Sequence, residues 1–385
     1  MRSIDVLAPE SGVRLAGILD AEPTGAGARL RRLPAWTRQQ ILDPALRFVA
    51  TMPSGARLET VTDSTAVEVD ALLTRLQLGD QKPPPAIFEL VVDGEVVASA
   101  SFDEGRVIRT DPATLTMEVH RGPAVTIRFD GLAARSKRIE LWLDQGASFE
   151  LRGVRIDDGA TAASPEPSGR TRWVHYGSSI SHCVEAERPT GVWPAVAARM
   201  AGVDLLSLGL AGQCHLDPMV ARTIRDLDVD LITMKVGINV VNGDTMRERT
   251  FLAAVQGFLD TVREGHPETP IGVITPIICP VAEDHSGPTL VGADGSVYVV
   301  DRPVELTVGA LSLRRIRQLL GDVVAARQEA GDKNIVLFDG LGLFGADDVA
   351  DLPDGLHPNS AGYRRMGERF HALAFGPGGA FSSLL

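Results

Sequence analysis

Cysteine, net positive charge and long apolar runs are all scarce in this chain of 385 residues. The three cysteines, Cys183, Cys214 and Cys279, are far apart and odd in number, and no two have zinc-finger spacing. Isolated reduced thiols are therefore expected, not a disulfide framework or a metal cluster. Lys and Arg number 38 against 50 Asp and Glu, a formal net charge of −12. That balance argues against a general nucleic-acid binder, and against a partner surface of anionic lipid. No apolar run reaches the roughly 18 residues of a membrane-spanning helix. Residues 1–10 lack the apolar core of a secretion signal, so the cytoplasm is the expected compartment. No internal repeat is present.

The length suggests two domains at roughly 150 residues each. The first part reads as β. Residues 86–98 are two apolar runs around Asp93-Gly94, a hairpin signal. Residues 115–120, 124–129 and 138–143 alternate with period two, with turns between them at roughly ten-residue spacing. Residues 1–156 are thus expected to form an antiparallel, jelly-roll-like β-sandwich, although the first fifty give no clear pattern. Residues 157–170 are small, polar and Pro-bearing and read as a linker. Over 171–385 the pattern changes. Short apolar strands near 173–176, 203–209, 230–237, 271–276 and 334–339 alternate with helical patterns at 193–202, 247–263 and 303–329. Such alternation implies βαβ units and a parallel sheet.

Ligands of an open parallel sheet bind beyond the carboxyl ends of its strands. Four segments fall there: Gly177-Ser178-Ser179-Ile180, Ser207 to Gln213, Gly237-Ile238-Asn239, and the loop carrying Asp354 and His357. An aspartate three residues before a histidine can fix the imidazole tautomer and stabilise its charged form. The histidine can then take a proton from a serine, which is a poor nucleophile until a base does so. Ser179 is the candidate nucleophile, His357 the base and Asp354 its orienting acid. The backbone N–H groups of Ser179 and Gly212 and the Asn239 amide are candidate oxyanion donors. Plainer readings stand beside these. Ser179 could be a helix cap, Asp354 and His357 a capped loop, Asn239 a turn residue and Gly212 a tight-turn glycine.

In this order the four segments resemble the SGNH/GDSL hydrolase family, over about residues 172–375. In that family the blocks carry, in turn, a serine, a glycine, an asparagine and an Asp-x-x-His pair. These match Ser179, Gly212, Asn239, and Asp354 with His357. Ser178 replaces the aspartate usual in the first block and Ile180 its leucine. Ser207 replaces an asparagine, and Val240 the aspartate that commonly follows the third-block asparagine. The resemblance implies a three-layer, flavodoxin-like α/β domain and a serine acyl-enzyme, with no bound cofactor.

The domain order is similar to that of some carbohydrate esterases. It is similar also to two-domain GDSL-type acyltransferases that tailor actinomycete tetracyclines by salicylyl transfer. The second likeness implies a coenzyme A thioester as acyl donor and a polyketide hydroxyl as acceptor. An esterase or deacetylase of an acylated sugar or small metabolite shares the same triad. A glycan-binding protein with an inactive catalytic domain is a third reading. No motif reports the acceptor or the oligomeric state.

Other residues stay open. His215 and Asp217 follow Gly212 and are candidates for the substrate pocket. His182 could face that pocket or be packed; Cys183 and His175 read as core. Lys235 is unusual inside an apolar strand, and could pair with an acid or reach the cleft. Arg314, Arg315 and Arg317 form a basic run on a helix, either a solvated face or a phosphate contact. Residues 290–301, with a hairpin turn at Asp294-Gly295, are expected to shape the acceptor or acyl pocket.

Overall fold

The computed structural model describes every residue except Pro9, Pro112, Ala113, Leu115 and residues 166–168 and 293–294. The chain divides into two compact units. One is Met1–Gly169 with Glu187–Thr190; the other is Arg170–Ala186 with Gly191–Leu385. The short segment joins the first unit because Glu89 Oε2 accepts from both the backbone N–H (3.0 Å) and the hydroxyl (2.6 Å) of Thr190.

The N-terminal unit is two facing β-sheets. One centres on the long strands Val67–Leu78 and Ala147–Ile156. The other runs Arg14–Ala16, Arg57–Thr62, Lys137–Trp142, Ala86–Val92, Glu95–Phe102. Alternation drives the packing: Val125, Ile127 and Phe129 point inward while Thr126 and Arg128 are exposed. Val69, Leu73, Ile127 and Phe149 of one sheet meet Leu58, Phe88, Leu90 and Leu141 of the other in a single core. The expected hairpin forms, with Asp93 and Gly94 at φ 50° and 94°, the left-handed pair that a tight two-residue turn needs. Among the described residues one pairing departs from the antiparallel rule: Arg106–Thr110 lies parallel to Val67–Leu78. The sequence pattern carries no signal for strand direction there.

Much of the stretch read as a linker is attached to this unit. Asp157 Oδ2 accepts from Thr65 N (2.7 Å) and Thr65 Oγ1 (2.7 Å), and Ala163 bridges to Val61. Small polar residues look like a tether in sequence, yet they also suit a strand edge. Residues 166–168 of that stretch lie outside the described residues.

The C-terminal unit is a five-stranded parallel sheet with helices on both faces. Its strands are β1 (Arg172–Gly177), β2 (Asp204–Gly209), β3 (Leu231–Lys235), β4 (Ile271–Ile274) and β5 (Ile335–Phe338), in the order 2-1-3-4-5. That is the flavodoxin-like order, whose switch point lies beside β1. Its helices are α1 (Ser179–His182), α2 (Trp193–Ala201), α3 (Pro218–Asp226), α4 (Ile238–Gly243), α5 (Glu248–Gly265), α6 (Leu313–Glu329), α7 (Gly340–Leu343) and α8 (Ser360–Ala374). The central strands are buried on both faces, which is why they read as continuous apolar runs. Trp173 of β1 stacks on Phe370 of α8 (5.4 Å between centroids), and Trp193 of α2 packs against both. Tyr176, pointing to the other face, stacks on Phe258 of α5 at 5.1 Å. Among the described residues no helix is long and apolar enough to cross a membrane.

The helical pattern at 303–329 is two pieces. A 3₁₀ turn at Val304–Thr307 stops before Gly309 (φ 69°), and α6 starts anew with Ser312 Oγ accepting from Arg315 N at 3.3 Å. Arg314, Arg315 and Arg317 of α6 pair with Asp284, Glu248 and Glu283, so the basic run is committed to partners within its own unit.

Phe370 is fully buried among Trp173, Trp193, Phe338 and Phe375. Phe370→Ala is expected to cost about 3–5 kcal/mol, the usual range for emptying an aromatic core site. Urea unfolding followed by tryptophan fluorescence measures it.

Candidate active site

The turn after β1 is built from small residues because nothing larger fits. A Cβ on Gly177 would lie 2.2 Å from Ser181 Oγ, and one on Gly209 would lie 2.5 Å from His182 N. Strand β1 therefore runs directly under α1, and the end of β2 passes against the same helix. Ser178 caps α1: its carbonyl accepts from Ser181 N (3.0 Å) and His182 N (2.9 Å), and its hydroxyl from Ile180 N (3.3 Å). The capping role thus falls to Ser178, which leaves the Ser179 hydroxyl for other work. With only four residues, α1 offers little of the helix dipole that a serine at its start could use.

The Asp354 loop is an Asx-type turn. Asp354 Oδ1 accepts from Leu356 N (2.8 Å) and His357 N (2.7 Å), and Gly355 takes φ 82° between them. This folds the carboxylate back, so that Oδ2 lies 2.6 Å from His357 Nδ1. The other ring nitrogen, Nε2, lies 2.9 Å from Ser179 Oγ. The strands Thr289–Val291 and Val297–Val299 pair antiparallel, and Val297 N donates to the Asp354 carbonyl at 2.9 Å. The 290–301 segment therefore braces the loop from outside. Asp294, half of the turn expected there, lies outside the described residues.

Electrostatics follow from this geometry. Burial pushes Asp354 upward, but hydrogen bonds from the His357 ring and backbone overcome it and hold the carboxyl at about 2. Burial likewise pushes His357 downward. The Asp354 hydrogen bond and the charges of Glu185 and Asp354 outweigh it, so the imidazole sits above its ordinary value. A charged imidazole between carboxylates is what a general base needs once it has taken a proton.

The residues expected to donate to an oxyanion lie on three loops. Ser179 follows β1, Gly212 follows β2 and Asn239 opens α4 after β3; β1 pairs with both β2 and β3. Asn239 is buried, and its Oδ1 accepts from Cys214 N at 3.0 Å. That bond fixes the amide and ties the second loop to the third. Gly212 is exposed at φ 70°. Among the described residues nothing accepts from the Ser179 N–H, the Gly212 N–H or the Asn239 Nδ2.

One neighbour was not visible in the sequence. Glu185 Oε1 lies 3.7 Å from His357 Nδ1, and Glu185 Oε2 accepts from the fully buried Tyr363 hydroxyl at 2.8 Å. The imidazole thus faces two carboxylates. Glu185 is a positioning residue in this geometry, since it would reach the chemistry only through His357.

The other candidates fall outside this contact chain. His182 is packed, with Nδ1 at 3.4 Å from Ala211 N. His175 is buried between Thr233 Oγ1 (2.7 Å) and Ser181 Oγ (2.8 Å), and burial holds it neutral at about 3. Cys183 and Cys279 are buried, with Cys279 Sγ against the Gly355 carbonyl. Lys235 is buried with no carboxylate partner among the described residues, and burial lowers it to about 8. His215 and Asp217 lie on the loop after β2, and neither bonds to Ser179, Asp354 or His357. Leu216 between them takes φ 60°, its N–H held by the Tyr176 hydroxyl at 3.0 Å. Among the described residues no cluster of three His, Cys, Asp or Glu is placed to hold a metal ion.

A serine, histidine and aspartate in line at the carboxyl edge of a 2-1-3-4-5 sheet define a serine hydrolase or acyltransferase of the α/β class. Residues 175–365 match the GDSL-like Lipase/Acylhydrolase family, and the C-terminal unit belongs to it. Among solved structures, the whole chain is similar to a salicylyl-acyltransferase, SsfX3, of a tetracycline biosynthetic pathway. That likeness has 27% identity and a TM-score of 0.77, covering 96% of this chain and 95% of that one. It is similar in fold to a putative GDSL-like lipase from Bacteroides ovatus (19% identity, TM-score 0.64, 93% of each chain). It is similar in fold also to a family two carbohydrate esterase from Clostridium thermocellum (15% identity, TM-score 0.59, 94% and 96%). No curated protein matches the sequence.

Glu185→Gln removes a negative charge beside His357 and keeps a group able to bond Tyr363. The base works only when neutral, so turnover rises with pH through the His357 titration. Losing one carboxylate is expected to move that acidic limb to lower pH. A pH–kcat/KM profile on a p-nitrophenyl ester checks it; an unmoved limb removes Glu185 from the site's electrostatics.

Proposed function

We propose that this protein moves an acyl group from a coenzyme A thioester, through a Ser179 ester, to a hydroxyl of a tetracycline-type polyketide. The observation that carries acyl transfer is the line of contacts Ser179 Oγ, His357 and Asp354, at 2.9 and 2.6 Å. Support for transfer over hydrolysis comes from the likeness to SsfX3 along nearly the full length of both chains.

In the first half-reaction His357 Nε2 takes the Ser179 proton as Oγ attacks the thioester carbonyl. The oxyanion lies toward the Ser179 and Gly212 N–H groups and the Asn239 amide; one such donor lowers a barrier by about 2.7–4 kcal/mol. Collapse breaks the C–S bond, and His357 hands its proton to the departing thiolate. In the second half the acceptor hydroxyl gives its proton to His357 and attacks the acyl-enzyme. Ser179 Oγ leaves and takes the proton back. Asp354 keeps Nδ1 protonated throughout, so Nε2 is the nitrogen free to exchange. Water in the acceptor's place makes the same site an esterase. The choice depends on how the acceptor is held and water kept out.

Ser179→Ala is expected to lower turnover of an acyl thioester by at least about 10³-fold while the fold is kept, because triad members act as a unit. Stopped assays with circular dichroism check both parts, and full activity would remove Ser179 from the mechanism. Incubating wild-type protein with an aryl-coenzyme A, with and without a polyketide alcohol, separates the outcomes. Transfer predicts an ester product and an acyl adduct on Ser179 by intact mass. Free acid as the sole product in both tubes assigns a hydrolase.

A further inference from the structure

The N-terminal unit holds a cleft of about 530 Å³ whose walls come from residues 22–148 alone. Five arginines line it: Arg29, Arg31, Arg38, Arg47 and Arg106. In a chain of net charge −12 this is a local reversal of sign.

Two carboxylates meet those five cations. Asp20 takes Arg38 through both of its oxygens, one at 2.6 Å, and lies 3.4 Å from Arg31 Nε. Glu22 lies 3.6 Å from Arg29 and 4.0 Å from Arg31. Arg47 donates to the Ile41 carbonyl at 2.8 Å. Among the described residues neither Arg47 nor Arg106 has a carboxylate partner. The cleft therefore keeps an excess of positive charge.

Arg31 is the second observation. It is only 2% exposed, and its Nε and Nη2 atoms make no hydrogen bond. A buried guanidinium with unmade bonds is costly, and negative charge added in the cleft beside it would offset part of that cost without reaching the sealed atoms. Burial already lowers the Arg31 pKa, as expected of a cation short of counter-charge. Thr51 Oγ1 donates to the Phe48 carbonyl at 2.6 Å, so the Ser148 hydroxyl donates to Thr51 Oγ1 at 2.7 Å and the pair is internally satisfied. Phe48, Ile108 and Val119 add an apolar wall, and Val119 is 57% exposed.

These features fit one ligand chemistry. A carboxylate adds a single charge and two oxygens. A phosphoryl group brings about −1.5 to −2 charges and three strong acceptor oxygens, and arginine forks match them in pairs. The volume is that of a small-molecule site, within the usual range of roughly 300–1,000 Å³. We propose that this cleft binds a small molecule bearing a phosphate or pyrophosphate group, with its apolar portion against Phe48, Ile108 and Val119. The proposal does not rest on the acyl-transfer reading.

The test is calorimetric titration of the full-length protein with inorganic pyrophosphate at fixed ionic strength, with acetate as the carboxylate control. Saturable binding of pyrophosphate, absent for acetate, is expected. Arg47→Ala and Arg106→Ala, both on accessible side chains, are each expected to weaken it about tenfold, the effect of losing one charge-assisted hydrogen bond. Arg314→Ala, outside the cleft, should leave it unchanged. Circular dichroism and urea unfolding report whether each variant is folded. Pyrophosphate heats no larger than those of acetate overturn the proposal, as does unchanged affinity in the Arg47→Ala/Arg106→Ala double variant. Should a variant not fold, the wild-type comparison of the two anions decides alone.

Discussion

The contact between His357 Nε2 and Ser179 Oγ, 2.9 Å long, joins residues 178 positions apart, and much of the C-terminal unit serves to hold it. Strand β5 lies three places from β1 in the sheet. At roughly 4.8 Å per strand, the chain leaving β5 must return about 14 Å to bring the histidine to the serine. It does so over residues 339–359, and that path is pinned at several points. Asp339 caps α7. Arg365 and Arg369 of α8 both grip Asp348, and Asn359 N donates to the Asp351 carbonyl as α8 begins. Val297 holds the Asp354 carbonyl from the other side. Loss of any one of these would loosen the imidazole without touching it.

Around His357 the fold sets two demands against each other. Burial favours a neutral ring, while Asp354 and Glu185 favour a charged one, and the carboxylates win. A stronger base pulls more effectively on the Ser179 proton, but a smaller share of it is free to act at neutral pH. Tyr363 moderates this by engaging Glu185 Oε2, which leaves Oε1 as the atom nearest the imidazole. Ser178, beside Ser179, brings no charge to the site and caps α1 instead.

How much of this was legible in the sequence depends on how local each signal is. The central strands β3 and β4 were readable because both of their faces are buried, which yields mostly apolar runs. The Asp354 turn was readable because Asp-Gly at the right spacing makes an Asx turn by itself. The break at Gly309 was harder, since apolar residues on either side kept a helical rhythm across it. Glu185 gave no signal at all. It lies in a polar stretch after α1, and its meaning comes from Tyr363 and His357, both about 175 residues away. The parallel strand at Arg106 was hidden for the same reason, because pairing direction is set by the partner strand.

The arginine cleft shows where an argument from total charge stops working. A net charge of −12 describes the far field, which governs encounter with an extended polyanion. It says little about a cleft whose charges sit within a few ångströms of a ligand, because over that range screening is weak and the near groups dominate. Arg29 and Arg31 come from one strand, Arg38 from the 3₁₀ turn after it, Arg47 from the short helix Pro44–Val49, and Arg106 from a strand paired far along the chain. No window of the sequence holds all five, so no basic run announces them. The one basic run that the sequence does show, on α6, is instead neutralised by Asp284, Glu248 and Glu283. Arginines adjacent in sequence turned out to be structural, and the cations with positive charge to spare were assembled by the fold.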